Sequence, residues 1–199
     1  MANWMHNGQG SGSTETGAYS LDGATTGLFF AEPGAQFRLP TENEWYKAAY
    51  YSGTTDSYWL YATQSDAVPG NEVGGAANQA NFYNNGYSVT QSTSFSSPQN
   101  YLTDVGAFTG SASHYGTFDQ SGNVWEWNDG VVDSWRGVRG GDWYYDETPM
   151  LSTDRNSYPP TGENAGFGFR LVSIPEPAAG VLALAAGALG LARKRRSTL

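Results

Sequence analysis

Gly122-Asn123-Val124-Trp125-Glu126-Trp127, followed by Arg139-Gly140-Gly141-Asp142-Trp143, sets aromatic side chains between glycine, asparagine and aspartate without a helical period. That grammar predicts short strands joined by tight turns over the whole stretch from Tyr115 to Trp143. It returns in Gly166-Phe167-Gly168-Phe169-Arg170-Leu171-Val172, where period-two alternation and two glycines predict the last strand of the folded body. After Ile174 the composition changes abruptly.

Upstream, the spacing of Thr41 and Glu44 is that of a capping box, in which hydroxyl and carboxylate satisfy each other's orphan backbone N–H groups. A helix is therefore expected over residues 42–51, with Trp45, Ala48 and Ala49 on one packing face and Gly53 as a left-handed stop. The opening run Met1-Ala2-Asn3-Trp4-Met5-His6-Asn7-Gly8 reads as a helix end closed by glycine. Between Ser52 and Tyr115 the chain is dominated by Ser, Thr, Asn, Gly and Tyr, with turn signals at Asn84-Asn85-Gly86 and Ser97-Pro98. Irregular loops and short strands are expected there.

Composition narrows the function. The 199 residues hold 26 Gly, 13 Tyr and 7 Trp, and only 15% are charged, so tight turns around aromatic packing replace long amphipathic helices. Net charge is −9, and of the ten basic residues Arg193, Lys194, Arg195 and Arg196 stand together at the end, leaving the body more acidic still. Nucleic acid is not expected as a partner. With no cysteine at all, disulfides, thiolate metal sites and thiol nucleophiles are excluded.

The last segment is a separate physical object, and a boundary at residues 173/174 is expected between body and tail. Pro175-Glu176-Pro177 breaks a continuing strand and is followed by the uncharged run 178–192 and then by the basic cluster. As a helix the run spans roughly 22 Å at about 1.5 Å per residue, short of the roughly 30 Å hydrocarbon core. The cations would remain on the cytoplasmic side, which puts the body outside. Motif, short transmembrane helix and basic terminus together resemble the PEP-CTERM sorting signal. That resemblance implies export to the cell envelope or exopolysaccharide matrix, transient membrane anchoring, and processing near the motif by an exosortase-type membrane peptidase. The beginning of the chain carries no basic, then apolar, export signal, so Met1 is expected to be an internal methionine with the true start upstream.

The body resembles the formylglycine-generating, or sulfatase-modifying factor, domain. Three segments carry the match: Arg38-Leu39-Pro40-Thr41-Glu42-Asn43-Glu44-Trp45, then Gly122 to Trp127, then Arg139 to Trp143 with Gly166 to Arg170. The resemblance implies an α+β fold related to C-type lectin-like architecture, low in regular secondary structure, over residues 1–173. Because the family's domain has strands ahead of the position of Met1, an N-terminally truncated copy is expected, and a fragment without function is one of the readings this leaves open.

The family's catalytic members hold copper through two cysteines, a task needing soft ligands. Their places fall at Tyr145 and Met150, so formylglycine formation by that route and a copper cofactor are excluded. His6 and His114 are too few for an all-histidine iron site. Asp142, Asp146 and Glu147 form an acidic group that a glycosidase-like mechanism would need at fixed separation, although such clusters are ordinarily just solvated. A Ser-His-Asp reading through His114 is no stronger.

The resemblance further implies calcium, a hard ion suited to oxygen donors. Carried over by position, its ligands are the carboxylates of Asp119 and Glu126 and the carbonyls of Gly122 and Val124; the competing reading is a plain Asx turn at Asp119. A second site would begin at Asn81 and Phe82 and find its other ligands near residues 97–99, where the chain offers no carboxylate. Trp59, Trp135, Trp143, Tyr144 and Tyr145 fall in expected loops and suit stacking on sugar rings or anchoring a protein. Two functions follow. The first is an exported, non-catalytic member that binds an extracellular saccharide or protein. The second is an enzyme of cysteine-independent chemistry using Arg155, Asp142 or Tyr145.

Overall fold

The structure, a computed structural model, describes residues 1–174. The expected Pro-Glu-Pro element, transmembrane run and basic cluster lie outside the described residues. Among the described residues no helix is long and apolar enough to cross a membrane.

Helix α1 (Ala2–His6) is capped at Asn7, and Gly8 follows at φ +78°, the glycine-closed end expected from the sequence. Strand β1 (Phe37–Arg38) leads into α2 (Glu42–Tyr50). The capping box is formed: Thr41 Oγ1 accepts the Glu44 N–H at 3.2 Å, and the Glu44 carboxylate accepts the Thr41 N–H at 2.8 Å. Arg38 adds a two-pronged ion pair to Glu44, both contacts at 2.7 Å, and holds its carboxyl down at about 2.

The stop differs from the expectation. Helix α2 ends at Tyr50 because Tyr51 turns extended and passes directly into β2 (Tyr51–Ser52), which pairs with β3 (Ser57–Tyr58). Gly53 is not left-handed. It is small because His114 lies against it, with Nε2 only 2.8 Å from where a Cβ would stand.

The turn-rich middle of the chain holds β2, β3 and isolated bridges and no longer element, as its composition indicates. Beyond it comes the one larger sheet. Strands β4 (Trp125–Val132) and β5 (Trp135–Arg139) form an antiparallel hairpin; β6 (Asn156–Tyr158) flanks β5, and β7 (Phe167–Phe169) runs parallel to β4, giving the order β6-β5-β4-β7. Trp135 opens β5 and is not a loop residue. The single last strand expected over 166–172 is broken in two. Arg170 turns aside to bind Glu126, and the chain pairs again as β8 (Val172–Ser173) against β1.

Among the described residues, much of the buried apolar surface falls into three small clusters, with Tyr87, Tyr101, Phe108, Trp125 and Val138 buried outside them. Ala2, Ala18, Tyr19 and Ala35 form the first; Trp45, Ala49, Tyr50 and Ala62 the second; Tyr61, Ala80, Phe82 and Met150 the third. The Tyr50 hydroxyl donates to the Met150 carbonyl at 3.1 Å and ties the last two together. Between these clusters polar networks carry the packing, since a buried donor or acceptor without a partner costs about 1–3 kcal/mol.

Candidate functional site

The second and third motif segments meet through backbone contacts, and the first joins them through side chains, Trp45 to Glu126 and Glu42 to Arg139. Gly122 donates its N–H to the Gly140 carbonyl at 2.7 Å, and Asn123 donates to the Asn81 carbonyl at 2.7 Å. Gly122 sits at φ +75° with the Asn81 oxygen 2.2 Å from where a Cβ would be, so no other residue fits. Gly140 and Gly141 follow β5 at φ +96° and +69°, a left-handed pair that turns the chain inward and delivers Asp142 to the floor of a cleft.

That cleft has a volume of about 370 Å³ and opens beside the four-stranded sheet. Its aromatic walls are Trp125, Trp135, Tyr145, Tyr158 and Phe167. Tyr158 packs on Phe167 with centroids 4.7 Å apart, and Trp125 meets Tyr145 edge-on at 6.5 Å. The polar lining includes Asp142, Asn156 and Asn164. Asp142 is only 8% exposed, and its Oδ1 accepts the Tyr144 N–H at 3.0 Å. Burial pushes its carboxyl above the ordinary aspartate range, with the Tyr144 and Tyr145 N–H groups acting the other way. No Lys or Arg pairs with it among the described residues. Gly166 makes room for it, because a Cβ there would stand 2.6 Å from Asp142 Oδ2.

Of the two places where thiols would be required, only Tyr145 faces this cleft. Met150 is fully buried against Tyr61, Ala80 and Phe82 and serves the core. The acidic group is not gathered either. Asp142 lines the cleft, Asp146 is exposed with its Oδ1 accepting the Thr148 N–H at 3.0 Å, and Glu147 is half-buried outside the cleft lining. A glycosidase-like pair across this cleft is therefore absent among the described residues. Arg155 stands elsewhere, on the Glu42 carboxylate at 2.6 Å. His114 is exposed beside Tyr115, and His6 Nδ1 accepts the Gln36 N–H at 3.0 Å, so neither reaches the cleft.

The loop from Asp119 to Glu126 is closed by a cation supplied by the chain itself. Arg170 grips both Glu126 oxygens at 2.5 Å and donates to the Phe118 carbonyl at 3.0 Å, while Trp45 Nε1 donates to Glu126 Oε2 at 2.6 Å. Asp119 accepts the Gly106 N–H at 2.6 Å, and the Gly122 carbonyl accepts the Val124 N–H at 2.9 Å. A divalent ion on Glu126 would have to share that carboxylate with the Arg170 guanidinium. The second set is engaged in part. Asn81 Nδ2 donates to the Tyr101 carbonyl and to Asn123 Oδ1, both at 2.9 Å, and the Phe82 carbonyl accepts from Asn71 and Ser88. Residues 97–99 are exposed, and Asn81 Oδ1 is buried without a partner.

The five aromatics singled out in the sequence divide three ways. Trp135 and Tyr145 line the cleft. Trp143 stacks on Tyr101 at 4.9 Å with Tyr144 edge-on to it, forming a separate cluster. Trp59 keeps apart, its Nε1 buried and unpartnered. The cleft residues that sequence reasoning missed are Trp125, Tyr158 and Phe167 with Asn156 and Asn164. The two asparagines carry no local signal, because only the pairing of β6 beside β5 brings Asn156 to the same cleft as Asp142.

A family model described as the sulfatase-modifying factor enzyme 1-like domain matches residues 1–174. A search of curated sequences gives no significant match. Among solved structures, the crystal structure of CarF is 24% identical, with a TM-score of 0.52 over 74% of this chain and 52% of that one. Treponema denticola variable protein 1 is 21% identical, with a TM-score of 0.40 over 74% of this chain and 51% of its own. The chain spans about half the length of both, and the CarF likeness extends to the fold. With the family model covering the whole described body, the chain belongs to the sulfatase-modifying factor enzyme 1-like domain family.

Proposed function

We propose that this chain is an exported, non-catalytic member of its family that binds an extracellular saccharide or protein ligand in the aromatic cleft beside the β-sheet. The observation that carries the reading is the content of that cleft. Where thiol chemistry would be done stands Tyr145, and with four further aromatic walls it encloses one buried carboxylate and two amides. Such a mixture of ring faces and a few convergent polar groups suits recognition, and the cleft volume is in the range of small-molecule sites. Trp125 and Trp135 make binding visible, because a ligand in the cleft changes their fluorescence. The test is titration of the full-length protein with a panel of neutral and charged saccharides, alongside Trp135→Ala. Saturable quenching that the variant loses supports the reading; no change with any member of the panel, together with no protein captured on the immobilised chain from extracellular matrix, sinks it.

Sorting belongs to the same proposal. Pro175-Glu176-Pro177, the apolar run 178–192 and the cluster Arg193 to Arg196 provide an element for a membrane peptidase of exosortase type, an anchor and a cytoplasmic stop. Intact mass and terminal peptides of the protein from its host, fractionated into cytoplasm, envelope and medium, test it. A mature form ending near Pro175 in envelope or medium is expected. An unprocessed cytoplasmic chain ending at Leu199 refutes export and sorting while leaving the cleft reading intact.

The raised carboxyl of Asp142, in a cleft that Tyr145 also lines, is the observation that favours a second reading, an enzyme with acid–base chemistry independent of cysteine. Turnover of a bound ligand on standing, abolished by Asp142→Asn, distinguishes it from binding alone.

A further inference from the structure

We infer that the cleft selects an amino sugar with a free ammonium group, the ammonium seated on Asp142 and the sugar ring against the aromatic walls. The inference rests on the cleft being the ligand site.

Asp142 is 8% exposed yet has no cationic partner, although five ion pairs satisfy carboxylates elsewhere in the described body. A carboxylate buried this way is ordinarily paired, so the missing charge is the feature to be explained. A cation brought by a ligand supplies it. The walls point the same way, since Trp125, Trp135 and Tyr145 line the cleft, and the face of such a ring attracts an ammonium group and stacks on the apolar face of a pyranose.

The amides fix the remainder of the ligand. Asn156 Oδ1 accepts the Ser157 N–H at 2.8 Å, and Asn164 Oδ1 accepts the Gly166 N–H at 2.7 Å. With both carbonyl oxygens held by backbone, each side chain offers its NH₂ group as a donor, complementary to hydroxyl or ring oxygens. One anionic acceptor, two amide donors and aromatic faces around about 370 Å³ describe a hydroxylated ring bearing a positive charge better than they describe a neutral sugar or a bare ammonium. The overall charge of −9 would draw a cationic polymer toward the cleft from a distance.

The experiment compares the β-1,4-linked glucosamine dimer with its N-acetylated counterpart and with the corresponding glucose dimer, by calorimetry and tryptophan fluorescence on the full-length protein. Tighter binding of the free amine by about tenfold or more is expected, the equivalent of about 1.4 kcal/mol. Asp142→Asn should erase that preference, while Trp135→Ala weakens all three ligands alike; a thermal melt of each variant verifies folding. The wild-type comparison stands by itself if Asp142→Asn does not fold, and Asn164→Ala then probes the same cleft from another side. Equal affinity for the three dimers, lost in Trp135→Ala, overturns the ammonium assignment and leaves the cleft as a ligand site. Absence of binding by all three overturns the assignment outright, and a different ligand quenching the cleft tryptophans would then preserve the broader reading.

Discussion

Replacing Glu42 by glutamine should unlock the body. Glu42 begins α2, and its carboxylate accepts from Arg139 at 2.7 and 3.0 Å and from Arg155 at 2.6, 2.7 and 2.9 Å. The two arginines are not equivalent. The Arg139 side chain is 8% exposed and that of Arg155 47%, so Arg155 returns to water when its partner goes and Arg139 cannot. Stranding a buried charge costs about 3–5 kcal/mol, and the lower end applies because Arg139 keeps the Ser152 and Asp154 carbonyls at 3.3 and 2.5 Å. Glu42→Gln should therefore cost about 3 kcal/mol, whereas Arg155→Ala removes a partly exposed pair worth about 0.5 kcal/mol. In urea unfolding followed by tryptophan fluorescence, with a slope of about 2 kcal/mol/M, the midpoint falls by about 1.5 M for the first and about 0.25 M for the second. The pH dependence gives the sign. Burial disfavours the Glu42 charge, but the hydrogen bonds from Arg155 and Arg139 outweigh it and leave the carboxyl below its ordinary range. The stabilisation is therefore complete above the ordinary carboxylate range and disappears as pH falls through the lowered value, so wild type and Glu42→Gln converge in acid. Equal losses from Glu42→Gln and Arg155→Ala would refute the account, since burial would then not decide the cost.

Three further outcomes follow from the same geometry. Thr41→Ala should cost about 1 kcal/mol in the same unfolding assay by removing the helix cap, and the Glu44 share of that cap, with its carboxyl at about 2, should be complete above the ordinary glutamate range and decline progressively as pH falls from there toward 2. Asp142→Asn should raise Tm at neutral pH, because a carboxyl pushed upward by burial costs stability once it ionises; the gain should vanish below the ordinary aspartate range, and a lower Tm at neutral pH would mean that Asp142 is held for structure instead. With Arg170 occupying Glu126, Tm should be the same in millimolar calcium as in chelator, and a calcium-dependent rise would show that Arg170 gives way to the ion.

What was legible in the sequence was whatever depends on near neighbours. The Thr41–Glu44 box, the glycine-closed end of α1 and the turn-rich middle are local chemistry and stand as read. The stop at Gly53 and the unbroken strand over 166–172 were misread because distant residues decide them: His114 fills the space at Gly53, and Glu126 draws Arg170 out of line. The cleft was half legible. Trp135, Tyr145 and Asp142 were singled out by type, but Asn156, Tyr158 and Asn164 enter only through sheet pairing and a loop that no local pattern announces. Asp119, Gly122, Val124 and Glu126 were read as an ion site by position alone, and position does not reveal that a guanidinium from beyond the loop already stands on its carboxylate.

The residues that make this family recognisable here are the ones that join distant parts of the chain. Glu42 reaches Arg139, Trp45 reaches Glu126, Glu126 reaches Arg170, and Gly122 lies between the Asn81 and Gly140 backbones. None of these contacts uses a cysteine or requires the cleft to be reactive. The scaffold can therefore be complete while the cleft holds a tyrosine, a buried aspartate and aromatic walls in place of thiols. Family membership then predicts the frame, and the cleft residues alone predict the chemistry. A carboxylate that lies buried in the cleft with backbone N–H partners and no cation is a feature the family frame does not itself explain, which is why Asp142 is where a ligand should be sought.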